Sequence, residues 1–371
     1  MNVASLTLTN FQATTADVND QVAELFQFHR GQDVFFMLML VAFLMMFIRR
    51  YEWGVALATL LVFATSFPLY ILAQTGIFGA ELNVELIIGA AFAAITLVIA
   101  IGVFLGHIST ISYLLVGVLF VPSYIFIEWF LFQFLDGVLD AGGSILVHMF
   151  AAYWGLGVIL GLRNKAVNDE PAATSVHSVS FVWLASMLLM VLWPSFVTAL
   201  LPPEDIIPGM ANTYLAMVAS ILATYVILWA LKRTIDPLVF TYAILAGGVA
   251  IGASVDLANP WQSWVIGLIA GAVSTLSFLF LDEWLRGKTG VWDTMGVHNL
   301  HGVPGIVGGL APIVLGFAGG SQAIAVLGTL VIALILGAIV GLILRIMPRP
   351  TKMLDDAEAF PAEEMRATDP A

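Results

Sequence analysis

Apolar runs follow one another along almost the whole chain, separated by short polar stretches. A helix needs about 20 consecutive apolar residues to cross a bilayer. A window of that size marks spans near 33–49, 53–76, 84–106, 110–134, 142–162, 177–201, 212–231, 238–255, 261–281, 297–317 and 322–346. The pattern therefore predicts an all-α polytopic membrane protein with about eleven transmembrane helices. The most polar internal stretch is RNKAVNDEPAATS at 163–175, and it separates two sets of five spans, about 33–162 and 177–317. Five spans reverse the chain direction of the next set, so two inverted five-helix repeats plus one extra helix, about 322–346, are expected within a membrane domain at 33–346. Residues 1–32 read as a polar extracytoplasmic segment and 347–371 as an acidic cytoplasmic tail. The first 32 residues have no basic stretch ahead of an apolar core, so no secretory signal peptide is expected.

Charge placement orients the bundle. Lysine and arginine accumulate in cytoplasmic loops. With eleven spans, Arg49, Arg50, Arg163, Lys165, Lys232, Arg233, Arg286, Lys288, Arg345, Arg349, Lys352 and Arg366 share one side, and only Arg30 lies on the other. The N-terminus is then outside and the C-terminus inside, in the plasma membrane or a bacterial inner membrane. Glu81, Asp136, Asp140, Glu204, Asp205 and Asp256 lie near the outer loops, where a negative vestibule would concentrate cations. Composition agrees with this picture. The chain is 60% hydrophobic and 10% charged, which excludes an ordinary soluble domain. It has no cysteine, which removes disulfides, thiolate metal sites and iron–sulfur clusters. A net charge of −12 gives no reason to expect a nucleic-acid partner.

Two histidines change the picture most. His148 and His301 lie inside apolar spans, where an ionisable side chain is costly and marks a functional site. Their contexts, VHMFAAYWGLG and LHGVPGIVGGL, match: each histidine is followed seven residues later by a glycine, Gly155 or Gly308. Matching positions in two halves would bring both imidazoles to one axis. There they could share a hydrogen bond, one ring donating and the other accepting, and both should stay neutral near pH 7. His298 lies three residues before His301, with no carboxylate or thiolate read beside it, so a metal site is not expected. Asp140 precedes His148 by eight residues, and either helix capping or an influence on charge near the pore fits it.

The runs QDVFFMLMLVAFLMMFIRRY, DAGGSILVHMFAAYWGL, HSVSFVWLASMLLMVLWPSF, ANTYLAMVAS, LAGGVAIG and WDTMGVHNLHGVPGIVGGL resemble the Rh (Rhesus) branch of the ammonium transporter/methylammonium permease/Rh superfamily. They extend from Gln32 to about Leu310. The resemblance implies an ammonia/ammonium channel that is not an enzyme and needs no cofactor. It implies a homotrimer in membrane lipid, with one pore per subunit. It makes His148 and His301 the twin pore histidines, and Phe92 in GAAFAAIT and Phe196 in WPSF a stacked gate. It makes Asp140 the acidic residue near the outer mouth, and Glu128 in IEWF a vestibular glutamate set off by one residue of spacing. Three positions depart from the pattern: Val197 and Tyr242 replace asparagines, and Leu200 stands where a serine of an outer cation site is usual. These changes argue against high-affinity ammonium recruitment. The tail shows no resemblance, so regulation by a P-II signalling protein is not expected. Two other classes stay open: a conduit for CO2 or another small neutral gas, and a redox membrane protein with histidine-ligated haem.

Overall fold

The computed structural model describes residues 15–46, 51–164, 174–290, 292–351 and 356. Most of the N-terminal segment, the linker and the tail lie outside the described residues. So do Arg49, Arg50, Lys165, Lys352 and Arg366. Among the described residues every regular element is helical. The long helices are α1 (Thr15–Leu44), α2 (Glu52–Gly76), α3 (Val84–Phe104), α4 (Ser112–Trp129), α5 (Phe150–Leu162), α6 (Val176–Val197) and α7 (Pro203–Lys232). They continue with α8 (Pro237–Ala243), α9 (Ala246–Ile251), α10 (Pro260–Leu276), α11 (Asp282–Thr289), α12 (Val303–Val314) and α13 (Gly320–Ile343). Nine helical stretches among the described residues are long and apolar enough to cross a membrane.

Several helices outrun the apolar windows that announced them. α1 begins at Thr15, so much of the polar segment before position 33 is helix. α7 begins at Pro203, where a proline at the first helical position gives up no hydrogen bond, and acidic Glu204 and Asp205 favour a helix N-terminus. α10 continues through a π turn at Ser277–Leu281 into charged α11. Hydropathy registers only the apolar part of such helices. The polar turns that project beyond it are still held by backbone hydrogen bonds.

The packing repeats. In the first half α2 lies on α4 and α3 on α5; in the second α7 lies on α10 and α9 on α12. The first helix of each half, α1 and α6, pack together. The buried core runs through α3, α5 and α9, whose residues are mostly shielded, and the C-terminal end of α8 joins it through Thr241, Tyr242 and Ala243. α2, α6, α7 and α13 keep large apolar side chains on the outside, including Leu72, Val191, Val226 and Leu327. An outward apolar coat around a tight interior is what a lipid solvent permits.

Small residues set the spacing at the extra helix. A Cβ on Gly337 would stand 2.0 Å from the Trp154 carbonyl oxygen, and one on Gly341 would stand 2.1 Å from that of Val158. On the facing helix, Gly157 and Gly161 meet the Leu334 and Ala338 carbonyls at 2.4 and 2.3 Å. Backbone faces backbone here, and no side chain can move aside. Gly337→Leu should therefore lower the melting temperature in detergent, with overpacking costing about 1–3 kcal/mol or more. Gly76→Ala, with nothing within 4 Å of the new Cβ, should melt as wild type. Equal melting of the two variants would contradict close α5–α13 contact.

Candidate functional site

The two histidines arrive at the centre by the same local device. Asp140, Gly143 and His148 have the spacing of Asp293, Gly296 and His301, that is D-x2-G-x4-H in both halves. Each glycine adopts a left-handed backbone, φ +76° at Gly143 and +66° at Gly296. A side chain there would be strained, and a Cβ would also collide with Val147 at 2.7 Å or Phe278 at 2.4 Å. Each turn leads into a π-helical segment, Ser144–Met149 or His298–Gly302, that carries the histidine.

Opening a helix inside a protein buried in lipid leaves backbone N–H groups to be satisfied. The aspartates satisfy them. Both oxygens of Asp140 accept from the Ile145 N–H at 3.0 Å, and one accepts from the Leu146 N–H at 2.7 Å. One oxygen of Asp293 accepts from the His298 N–H at 2.6 Å. Burial pushes each of these carboxyls up to about 7, while the backbone N–H donors pull the other way. Asp140 is thus a buried helix cap, 7% exposed, rather than a surface carboxylate. Asp293 was not singled out in the sequence, although its spacing to His301 copies that of Asp140 to His148. It also corrects the expectation that no carboxylate lies beside His298.

At the centre, His148 Nδ1 and His301 Nδ1 are 3.1 Å apart, with ring centroids 5.1 Å apart and planes 18° from parallel. Both rings are buried, 2% and 7% exposed. His148 Nε2 has no hydrogen-bond partner among the described residues. Its ring stacks on Trp193 at 5.5 Å and touches Phe196 at 5.8 Å. Phe196 meets Phe92 edge to face at 4.9 Å. Phe92, Phe196, His148 and His301 are therefore one contiguous set. Trp193 completes it, one helical turn before Phe196. Only that i, i+3 spacing from a candidate gate residue could have flagged it in the sequence.

The other candidates stand apart. Glu128 on α4 accepts from the Tyr70 hydroxyl at 2.9 Å through both oxygens, and from Gln74 at 3.4 Å, so its partners lie on α2. His298 points to Tyr153, whose hydroxyl is 3.4 Å from Nε2. No group of three or more histidines and carboxylates that could hold a metal occurs among the described residues. Val197 is fully buried, and Leu200 is 43% exposed.

A helical membrane bundle with two touching imidazoles at its buried centre, and a phenylalanine pair packed against them, defines a polytopic membrane protein. The chain belongs to the Ammonium Transporter Family, whose model matches residues 9–360. Within it the chain falls in the Rh branch. It is 34% identical over 352 residues to Ammonium transporter Rh type A of Bos taurus, covering 88% of this chain and 82% of that protein. It is 34% identical over 292 residues to Ammonium transporter Rh type C of Bos taurus, covering 76% of this chain but only 63% of that protein. Among solved structures it resembles Nitrosomonas europaea Rh50, of the Rhesus protein family of channels. The TM-score is 0.88 at 36% identity, over 94% of this chain and 96% of that one. A Sensor Amt Protein shares the fold at 19% identity, with a TM-score of 0.79 over 91% of this chain and 96% of that one.

The caps make a direct prediction. Asp140→Ala strands buried N–H groups of Ile145 and Leu146, at about 1–3 kcal/mol for each group left unpaired. Its melting temperature should fall clearly, and Asp140→Asn, whose amide oxygen still accepts, should lose less. Melting of Asp140→Ala at the wild-type temperature would show that the cap does not hold the turn.

Proposed function

We propose that this protein is an ammonia channel of the cell membrane. The observation that carries the proposal is the buried Nδ1–Nδ1 contact of His148 and His301 directly behind the Phe92–Phe196 pair. An ion without its hydration shell pays several kcal/mol or more to enter a low-dielectric lumen, so NH4+ must shed a proton before passing. Neutral NH3 both donates and accepts hydrogen bonds. With both imidazoles neutral, the Nδ1–Nδ1 contact requires one ring to donate and the other to accept, which fixes opposite tautomers. Each ring then turns its Nε2 edge away from the contact, as an N–H on one ring and a bare nitrogen on the other, available to a passing base.

Glu128 and the acidic outer loops draw ammonium to the vestibule. Phe92 and Phe196 form the gate, on whose outer side NH4+ gives its proton to water of the vestibule, and Asp140 acts on the lumen by holding the turn that presents His148. Eleven spans, an outside N-terminus and an inside C-terminus complete the arrangement. The assembly is a homotrimer with a pore in each subunit. The relatives' names support ammonium as substrate, and the outward apolar helix faces support assembly within lipid. The histidine geometry is unfavourable to a haem site. The two Nδ1 atoms are in hydrogen-bond contact and the rings are nearly parallel, so no macrocycle fits between them.

CO2 is the second substrate to be tested, because an apolar lumen admits a small neutral gas. Stopped-flow recording of internal pH in proteoliposomes separates the two. An ammonium pulse should give fast alkalinisation, several-fold above protein-free vesicles, and Phe196→Ala should alter that rate without dispersing the trimer. A CO2 response with no ammonium response would overturn the substrate assignment. Native mass spectrometry should show a trimer, and a monomer or dimer as the sole species would refute the assembly.

A further inference from the structure

A cavity of about 30 Å³ borders His301. A void of about 10–15 Å³ by the same measure holds one water, so this one has room for only one or two molecules the size of water or ammonia. His301 lines it, together with Ile99 of α3, Val41 and Leu44 of α1, Val297, and Tyr242 of α8. Ile99 lies seven residues beyond Phe92 on α3, about 10 Å along the axis by helix rise. α1 gives the same direction. Asp33 accepts a hydrogen bond from Ser195, the neighbour of Phe196, at 2.6 Å, whereas Leu44 is eleven residues further on, about 16 Å. The cavity therefore continues the lumen beyond the histidines, and its wall is almost wholly apolar.

Tyr242 is the largest side chain lining this cavity and is also fixed there. Its hydroxyl donates to the Leu44 carbonyl oxygen at 2.5 Å, which ties α8 to the last turn of α1. Its ring stacks on Phe278 at 6.0 Å with planes 13° apart. Phe278 in turn fills the space over Gly296, the left-handed glycine of the His301 turn. The ring is 4% exposed. The phenol is thus held at both ends beside a void with room for one or two small molecules.

We infer that Tyr242 is a specificity-determining inner gate, which limits what leaves the lumen to molecules about as small as ammonia. The inference rests on the conduction reading above. The ring sets the width, and the hydroxyl bond to Leu44 keeps the ring in place. Methylamine is ammonia with one added methyl. A pocket that resists one such group discriminates by about tenfold or more.

The test is the ratio of methylamine to ammonia flux, measured by stopped-flow pH in proteoliposomes of the full-length protein. Tyr242→Ala should raise that ratio about tenfold. Tyr242→Phe, which keeps the ring and loses only the latch, should raise it less. Val41→Ala widens the same cavity from α1 and should shift the ratio in the same direction. It carries the test if Tyr242→Ala does not give folded protein. An unchanged ratio in folded Tyr242→Ala, or in Val41→Ala where the alanine variant fails to fold, overturns the gate. So does an equal rise in Tyr242→Phe and Tyr242→Ala. A wild type that conducts neither amine refutes the conduction reading itself. A conducting wild type with an invariant ratio refutes the gate alone.

Discussion

Satisfying backbone N–H groups where no water can reach them is the constraint on which this structure depends. To bring a histidine side chain to the centre of the bundle, the chain leaves the regular helix twice, and each time it needs an acceptor for the N–H groups that this frees. Asp140 and Asp293 supply those acceptors. Gly143 and Gly296 make the turns that let each carboxylate reach forward to its own helix. The imidazole contact follows from these two turns. The phenylalanine and tryptophan rings around it gain a fixed surface to pack on, so the geometry of the centre rests on two buried carboxylates.

Small residues then bring the surrounding helices into backbone contact around the histidine pair. The glycines seven residues after the histidines act alike. A Cβ on Gly155 would stand 2.6 Å from the Ala100 carbonyl oxygen on α3, and one on Gly308 would stand 2.5 Å from that of Ala250 on α9. In both halves the histidine-bearing helix thus presses its glycine against a core helix of the same half. The likeness of the two sequence contexts reflects a shared packing need as much as a shared chemical one. Ser144 strengthens the join between the halves by donating to the Val249 carbonyl and accepting from the Ala253 N–H.

Much of this was legible in the sequence, for reasons that also explain what was missed. The spans were visible because lipid demands long apolar runs, and His148 and His301 stood out because ionisable groups are rare in them. Helix ends were less visible. Residues 15–32, 203–211 and Asp282–Thr289 are helical turns, each carrying charged residues, that extend past the apolar windows. Asp293 was overlooked because a carboxylate between Trp292 and Thr294 looks like loop solubility until its spacing is laid over that of Asp140. Trp193 was hidden among ten tryptophans, and only the stacking on His148 singles it out. Tyr242 was visible as a departure from the family pattern. Its bond to Leu44 joins residues 198 positions apart and could be known only from the fold. Glu128 was placed by resemblance, and its partners Tyr70 and Gln74 lie on a helix that local sequence cannot pair with it.

Whether ammonia passes the histidine pair as a neutral molecule is decided most directly by recording amine uptake and membrane current together on the same liposome preparation. The comparison is wild type against His148→Ala and His301→Ala, each confirmed to be folded and in the wild-type oligomeric state. If the touching imidazoles carry conduction, both variants should change the rate or the charge moved per ammonia far more than they change the melting temperature. Wild-type rate and an unchanged charge per ammonia in both variants would contradict the role of the pair.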